Sequence, residues 1–313
     1  LWSIGPVVRD LSIEFDTYWN SETSYPIASV TQGLKVTQED LYELRAKLRL
    51  ENLKAIDSVY VKTLKDTQLV RRFSQGELPL YWCPSKVYSD PPEKLMHKIH
   101  DESQNLNFQL RPYVESAKKE ILMVTPYFVP GPNGVEYFRQ KVKSGISVIV
   151  ITNSLASGDV ATVFSGYKKY RKDLIKAGVH LYELRPNVDK EMRKTKTMGS
   201  SGGSHAGLHG KVMVFDNSTM FVGSMNLDPR SFNLNSEMGV VMKCPDLANA
   251  FSGKFKHNLA EIAYKVDLDD KGELVWTTYD EGKKTTLHGE PETSWWQRTK
   301  ASFMSIFVPE SKL

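Results

Sequence analysis

The reading of this chain turns on GLHGKVMVFDNSTMFVGSMNLDPRS, residues 207–231. Two apolar runs, KVMVF and TMFVG, flank Asp216-Asn217, a hairpin-turn signal. In a strand, residues two apart share a face. His209 and Lys211 therefore point one way, and Val222, Ser224 and Asn226 share a face on the next strand. The hairpin is expected to bring the two sets together. That would place one imidazole beside three hydrogen-bond donors, one of them cationic. Glu237 opens the following apolar run, within expected reach of the imidazole.

Working outward, apolar strands alternate with amphipathic helices. ILMVT (121–125), ISVIVIT (146–152) and VHLYEL (179–184) read as strands, with helices over 133–144 and 159–177 between them. EMGVVMK (237–243) adds a strand and 245–262 a helix. This alternation predicts an α/β layered sheet covered on both faces. Upstream, Pro6 opens a helix over 6–20, with Val7, Val8, Leu11, Phe15, Tyr18 and Trp19 on one face. Thr37 opens a long polar helix over 37–64. Residues 186–204 are polar, basic and rich in Gly and Ser, and read as a loop placed to cover the site. Residues 263–290 read as a strand-rich appendix, and 292–308 as an amphipathic helix. The division expected is 1–76, the end of a first lobe and a helical linker; 77–265, a complete lobe; and 266–313, an appendix. VMKCPDLANAFSGKFKHNL (241–259) echoes SIGPVVRDLSIEFDTYW (3–19): each opens a helix at a proline. The echo suggests that the chain begins where a first repeat ends.

The 313 residues are 40% hydrophobic and 25% charged, ordinary for a globular protein. Net charge is +4, which suits an anionic partner. Cys83 and Cys244 are far apart and show no metal-ligand spacing, so neither thiol nor zinc chemistry is suggested, and a disulfide is not signalled. No run of about 18 apolar residues suggests a membrane-spanning helix.

The polar set suits a phosphodiester. Lys211, Ser224 and Asn226 are the right donors for non-bridging oxygens as charge builds on phosphorus. A neutral imidazole attacks phosphorus, and a second one protonates the leaving alkoxide. Glu237 would fix the tautomer of His209. No metal or other cofactor is called for. Taken singly, each residue has a plainer reading: a structural histidine, a solvated lysine, a turn aspartate. Together, His209, Lys211, Asp216, Gly223, Ser224 and Asn226 form H-x-K-x4-D-x6-G-S-x-N. At average composition that pattern arises by chance about 10⁻⁸ times per start position.

This pattern resembles the HKD motif of the phospholipase D superfamily, and Glu237 falls where that family places its histidine-orienting glutamate. The run from TPYFVPGPNG (125–134) to LYELRP (181–186), with NLDPRSFNLNSEMGVV (226–241) and ETSWWQRTK (292–300), is similar to bacterial cardiolipin synthases, most of all the C type. The resemblance implies a phospholipase D-like mixed β-sheet flanked by helices on both faces, one complete lobe plus the tail of a first. It implies catalytic roles for His209, Lys211, Asp216, Ser224, Asn226 and Glu237. The family builds its site from two motifs, and the first is absent here. The partner is then a missing N-terminal half or a second copy of the chain, and the isolated chain is expected to be inactive unless it pairs. The implied reaction is transfer of a phosphatidyl group from phosphatidylglycerol to phosphatidylglycerol or phosphatidylethanolamine, through a phosphohistidine. The implied location is peripheral, on the bacterial inner membrane.

Two other readings stay open. On the same scaffold, water in place of the lipid hydroxyl gives a phospholipase or nuclease. Nucleic acid is disfavoured, because no aromatic–basic strip offers stacking for bases. The third is a non-catalytic lipid-binding module. Tyr127 and Phe128 are candidates to line a headgroup entrance. Trp295, Trp296, Arg298, Lys300 and Phe303 are candidates for contact with anionic lipid.

Overall fold

The computed structural model describes residues 1–31, 33–56, 61, 68–78, 80–96, 101–158, 160–186, 208–280 and 282–307. Apart from residue 186, the loop expected to cover the site lies outside them. The chain forms two compact units, 24–82 and 1–23 with 83–313.

The smaller unit holds α2 (Ile27–Val30), α3 (Gln38–Ile56) and α4 (Gln68–Ser74). Thr37 starts α3 as expected. Its hydroxyl accepts from Asp40 N (3.2 Å), and its backbone N–H donates to the Asp40 carboxylate (2.7 Å). No residue of α3 is buried.

The larger unit is built on one ten-stranded sheet. In chain order the strands are β1 (Ser85–Ser89), β2 (Glu120–Val124), β3 (Ser147–Asn153), β4 (His180–Leu184), β5 (Lys211–Phe215), β6 (Thr219–Gly223), β7 (Met238–Lys243), β8 (Ala263–Leu268), β9 (Leu274–Asp280) and β10 (Lys283–Leu287). Their order across the sheet is β1-β7-β6-β5-β2-β3-β4-β8-β9-β10. Only β2, β3 and β4 run parallel, and β2 and β3 are the near-continuous apolar runs such central strands require. The strands of 263–287 extend this same sheet, β8 pairing with β4.

Helices cover both faces, as the alternation predicts. On one face α5 (Leu106–Ser116), α6 (Gly131–Lys143), α7 (Ala161–Lys168), α8 (Arg171–Lys176) and later α11 (Trp295–Phe307) meet Ile121, Val148, Met213 and Phe221. On the other, α1 (Pro6–Trp19) and α10 (Pro245–Ile262) meet Leu122, Ile149, Val214 and Val240. A short helix, α9 (Pro229–Asn233), follows β6. Both α1 and α10 start on their proline.

Three local expectations change. The helix expected over 159–177 is two, because the chain turns at residues 169–170, where Tyr170 N donates to Tyr167 O (3.0 Å). The apolar face of α1 is split. Val7, Leu11 and Tyr18 turn to the sheet, while Phe15 and Trp19 stack on each other 5.7 Å apart and stay exposed. Cys83 and Cys244 are joined in a disulfide, their Cα atoms 5.3 Å apart. Spacing could not show this, since the pair is made by the β1–β7 register, in which Ser85 faces Met242.

A buried ionic network locks the β4 side. Arg171 is fully buried and donates to Glu183 (3.1 Å) and to both oxygens of Glu290. Tyr167 and the Trp276 indole also donate to Glu183, each at 2.8 Å.

Candidate functional site

Strand register decides what gathers here. Asp216 and Asn217 have φ of 51° and 52°, the left-handed pair of a tight hairpin turn. The hairpin sets Lys211 opposite Gly223, and β7 sets Gly239 on the far side of Gly223. The N-terminal ends of β5 and β7 therefore share a sheet edge with the C-terminal ends of β1 and β2, where Ser89 faces Met238 and Val124 faces Val212. His209, Lys211, Ser224, Asn226 and Glu237 all stand at this edge.

The faces differ from expectation. Lys211 alternates with Met213 and Phe215, which lie in the core that includes Phe221. Val222 packs with Val212 on the opposite face. A regular strand would thus carry Ser224 away from Lys211. Strand β6 ends at Gly223, and the chain bends there. The bend lets Ser224 Oγ donate to Glu237 Oε2 at 2.5 Å. Gly223 is required at this place: a Cβ there would stand 2.5 Å from Met238 O and from the Phe221 ring. The ring lies across the Gly223–Gly239 pair, in the space two side chains would take.

His209 is exposed just ahead of β5, and Lys211 Nζ curls back to its carbonyl (2.9 Å). Among the described residues its imidazole makes no hydrogen bond. The expected bond from Glu237 is not formed here. The buried Glu237 carboxylate holds Ser224 on one oxygen and accepts from Asn235 Nδ2 (3.1 Å) on the other. Asn226 is buried, and its side-chain oxygen has no partner among the described residues. Such a group is expensive to bury unless a ligand or water meets it.

Asp216 is not brought to this set. It stands at the other end of β5, about 20 Å along an extended strand from His209. Its carboxylate accepts from the backbone N–H groups of Lys118 (2.8 Å), Lys119 (2.7 Å) and Glu120 (2.9 Å). Partial burial raises its pKa, but these three donors outweigh that and leave it below the ordinary carboxylate value. It is a turn and anchor residue.

Of the two candidates for a headgroup entrance, only Tyr127 is half-exposed, but both line a small pocket at the ends of β2 and β3 with Asn153, Val160 and Phe164. Phe128 is 1% exposed and sits among core aromatics, its ring 6.1 Å from Phe138 and 6.3 Å from Tyr167. Its backbone instead bridges to Leu227, stapling this loop to the one that carries Asn226.

Of the C-terminal candidates, Trp295, Trp296 and Phe303 are 60, 74 and 62% exposed, and Lys300 is exposed beside them. Arg298 is half-buried. The opposite side of α11 is closed by Ala301, which is fully buried. Lys168 reaches across to Ser302 (2.8 Å).

Sequence reading missed the residues that hold the edge from behind. The side chain of Asn153, at the end of β3, donates to Leu208 O (3.1 Å) and accepts from Leu208 N (2.9 Å), fixing the residue before His209. Asp90 and Lys94 are buried and bonded to each other. In sequence the two flank only a Pro91-Pro92 step and Glu93, with no motif that ties them to His209 or Asn226. Among the described residues, no cluster of three or more His, Cys, Asp or Glu could hold a metal ion. No described helix is long and apolar enough to cross a membrane.

Residues 110–259 match the family described as cardiolipin synthase, PLD-like domain. Over 309 residues the chain is 34% identical to cardiolipin synthase C of Escherichia coli K12, covering 98% of this chain and 64% of that protein. It therefore spans just under two thirds of that relative's length. It is 29% identical to cardiolipin synthase 2 of Bacillus anthracis over 148 residues, 47% of this chain and 25% of that one. Among solved structures, the phospholipase D family member Nuc of Salmonella typhimurium aligns with 56% of this chain and 93% of its own, at 19% identity and a TM-score of 0.39. The matched stretch runs from within α5 to within α10 and takes in His209, Asn226 and Glu237, and over those residues the chain carries a phospholipase D-like domain.

Proposed function

We propose that this chain supplies one half of the active site of a phosphatidyltransferase, which moves a phosphatidyl group from one phospholipid to another. The observation that carries this is the edge itself. An exposed imidazole, a lysine and a buried amide with an unpartnered oxygen converge beside a locked Ser224–Glu237 pair. Rotation of the Asn226 amide about χ2 presents its NH₂ to the same space. Lys211 and Asn226 then hold the non-bridging oxygens, and the charge that grows on them is met by fixed donors.

Two histidines divide the work. One attacks phosphorus through a ring nitrogen as the P–O bond to the leaving alcohol breaks. The other, as imidazolium, gives that alkoxide its proton. The same imidazole, now neutral, takes the proton of the incoming lipid hydroxyl, whose oxygen displaces the histidine nitrogen. His209 is one of the pair. The second comes from an N-terminal half or from a second copy of the chain. The partner surface is anionic phospholipid, approached by the exposed Trp295, Trp296, Phe303 and Lys300 of α11, with the protein peripheral on the bacterial inner membrane.

The test is lipid mass spectrometry after incubation with phosphatidylglycerol vesicles, using the full-length protein and this chain, each with and without His209→Ala. Cardiolipin from the full-length protein, reduced at least about 10²-fold by the substitution, is the expected result. Phosphatidic acid in its place would make the protein a hydrolase, and no product from either protein would leave a lipid-binding role.

A further inference from the structure

The segment after β1 reads Ser89-Asp90-Pro91-Pro92-Glu93-Lys94. The two prolines force a tight turn, continued by a 3-10 turn over Pro92–Met96. This folds Lys94 back over Asp90, Nζ to Oδ2 at 2.7 Å, with side chains 2% and 0% exposed. The remaining bonds of the pair lead to the site. Asp90 Oδ2 also accepts from Glu237 N (2.9 Å), and Asp90 N donates to Glu237 O (2.8 Å). Lys94 Nζ donates to Ser231 O (3.0 Å). Ser231 Oγ in turn accepts from Asn226 N (3.3 Å). The outer shell is closed as well: Asp90 Oδ1 accepts from Leu106 N (2.8 Å), and Asp90 O from the Tyr18 hydroxyl (2.7 Å).

Stability alone is a poor reason for such a pair. Taking two ions out of water cancels most of their attraction, and apolar or neutral replacements of similar size often leave stability unchanged. What an ion pair adds is fixed geometry. Here the carboxylate grips the backbone of Glu237, and the ammonium grips the loop that carries Asn226. Among the described residues these two segments also meet through the bonds of Ser224 to Glu237 and Met238, the bonds of Leu234 N and Asn235 N to Arg230 O, and the start of the β6–β7 ladder.

We infer that Asp90 and Lys94 are positioning residues, which set Glu237 and Asn226 at the separation that transfer requires. The inference rests on the transferase reading above. Neither residue touches the phosphodiester. Each acts through the backbone it holds, so its loss moves turnover far more than affinity for substrate.

The experiment uses the full-length protein carrying Asp90→Asn with Lys94→Met, which removes both charges and leaves no lone buried ion. A second protein carries Lys172→Met with Glu273→Gln, an exposed pair bonded at 2.9 Å and remote from the site. Cardiolipin formation is followed at varied phosphatidylglycerol in mixed vesicles, alongside thermal melting. The expected result for the buried double variant is a folded protein with a lowered melting temperature, because one Asp90 oxygen that accepts a backbone N–H becomes an NH₂, with kcat per folded molecule lower by about 10- to 100-fold and KM within about twofold. The surface double variant keeps the parent's kcat. Unchanged kcat in a folded buried variant, or its failure to fold, overturns the inference and leaves the transferase reading standing, provided the parent is active. No transfer by the parent itself overturns the reading, and the inference with it.

Discussion

The β5–β6 hairpin carries chemistry-bearing side chains at both ends, and the two ends are treated differently. At the turn, Asp216 spends its carboxylate on three backbone N–H groups at the start of β2. At the open end, the His209 imidazole makes no hydrogen bond among the described residues, and the Asn226 oxygen is buried without a partner. Folding pays for the first arrangement in full, because each donor meets an acceptor. It gains nothing from the second. A polar atom buried without a partner costs stability, and it persists where something outside the chain is meant to meet it. Three residues of one motif thus divide into one that serves the fold, Asp216, and two, His209 and Asn226, that on the proposed reading meet a ligand.

That division is tested hardest at Asn226. Asn226→Ala is expected to lower transfer by the full-length protein about 10²- to 10³-fold, the usual cost of losing one donor to a charge-developing oxygen. Its melting temperature should stay close to the parent's, since the side-chain oxygen that is removed had no partner. Steady-state kinetics and a thermal melt on the same sample decide it. A large fall in melting temperature with normal turnover per folded molecule would erase the contrast between the two ends.

Asp216→Asn tests the other side. Asn tolerates the left-handed backbone at this position but has lost the charge that three donors share. We expect a loss of about 1–3 kcal/mol by chemical denaturation at neutral pH, with turnover per folded molecule retained. The pH dependence has a definite sign. The folded-state pKa of Asp216 is depressed. Its stabilisation is therefore complete above the ordinary carboxylate pKa and is lost as pH falls through the depressed value. The gap between parent and variant should close in strong acid; a gap that widens there would contradict the anchor role.

What could be read from the chain follows from the same contrast. The turn at Asp216-Asn217, the apolar parallel strands and the helices opened at Pro6 and Pro245 are local matters, decided by residues a few positions apart. The gathering of His209, Lys211, Ser224, Asn226 and Glu237 is legible because all lie at or close beside the ends of three strands consecutive in the chain, β5, β6 and β7. Their faces were less so. Alternation puts Ser224 and Asn226 on one strand face with Val222, but the strand stops at Gly223; and Glu237, expected to reach His209, holds Ser224 instead. Partners distant in sequence left no trace. Asp216 meets residues nearly a hundred positions upstream, Cys83 meets Cys244 across 161, and Lys94 meets Ser231 across 137. Each of these depends on sheet order, which periodicity does not contain.

The smallest expected effect concerns the helix α11, where the same contrast appears across a single element. Its inner side is closed by Ala301 against α7, and its outer side leaves Trp295 and Trp296 exposed, their rings 4.7 Å apart. Apolar rings of this size stabilise a fold only when they are buried, and these two are not. Replacing both with alanine should leave the melting temperature within a degree or two. An indole at a lipid interface buries apolar area that it exposes in water, so the same change should weaken co-sedimentation with anionic vesicles severalfold. If vesicle binding is untouched while the melt shifts, the outer side of α11 is packing surface for protein, and openness at this helix does not mean what it means at Asn226.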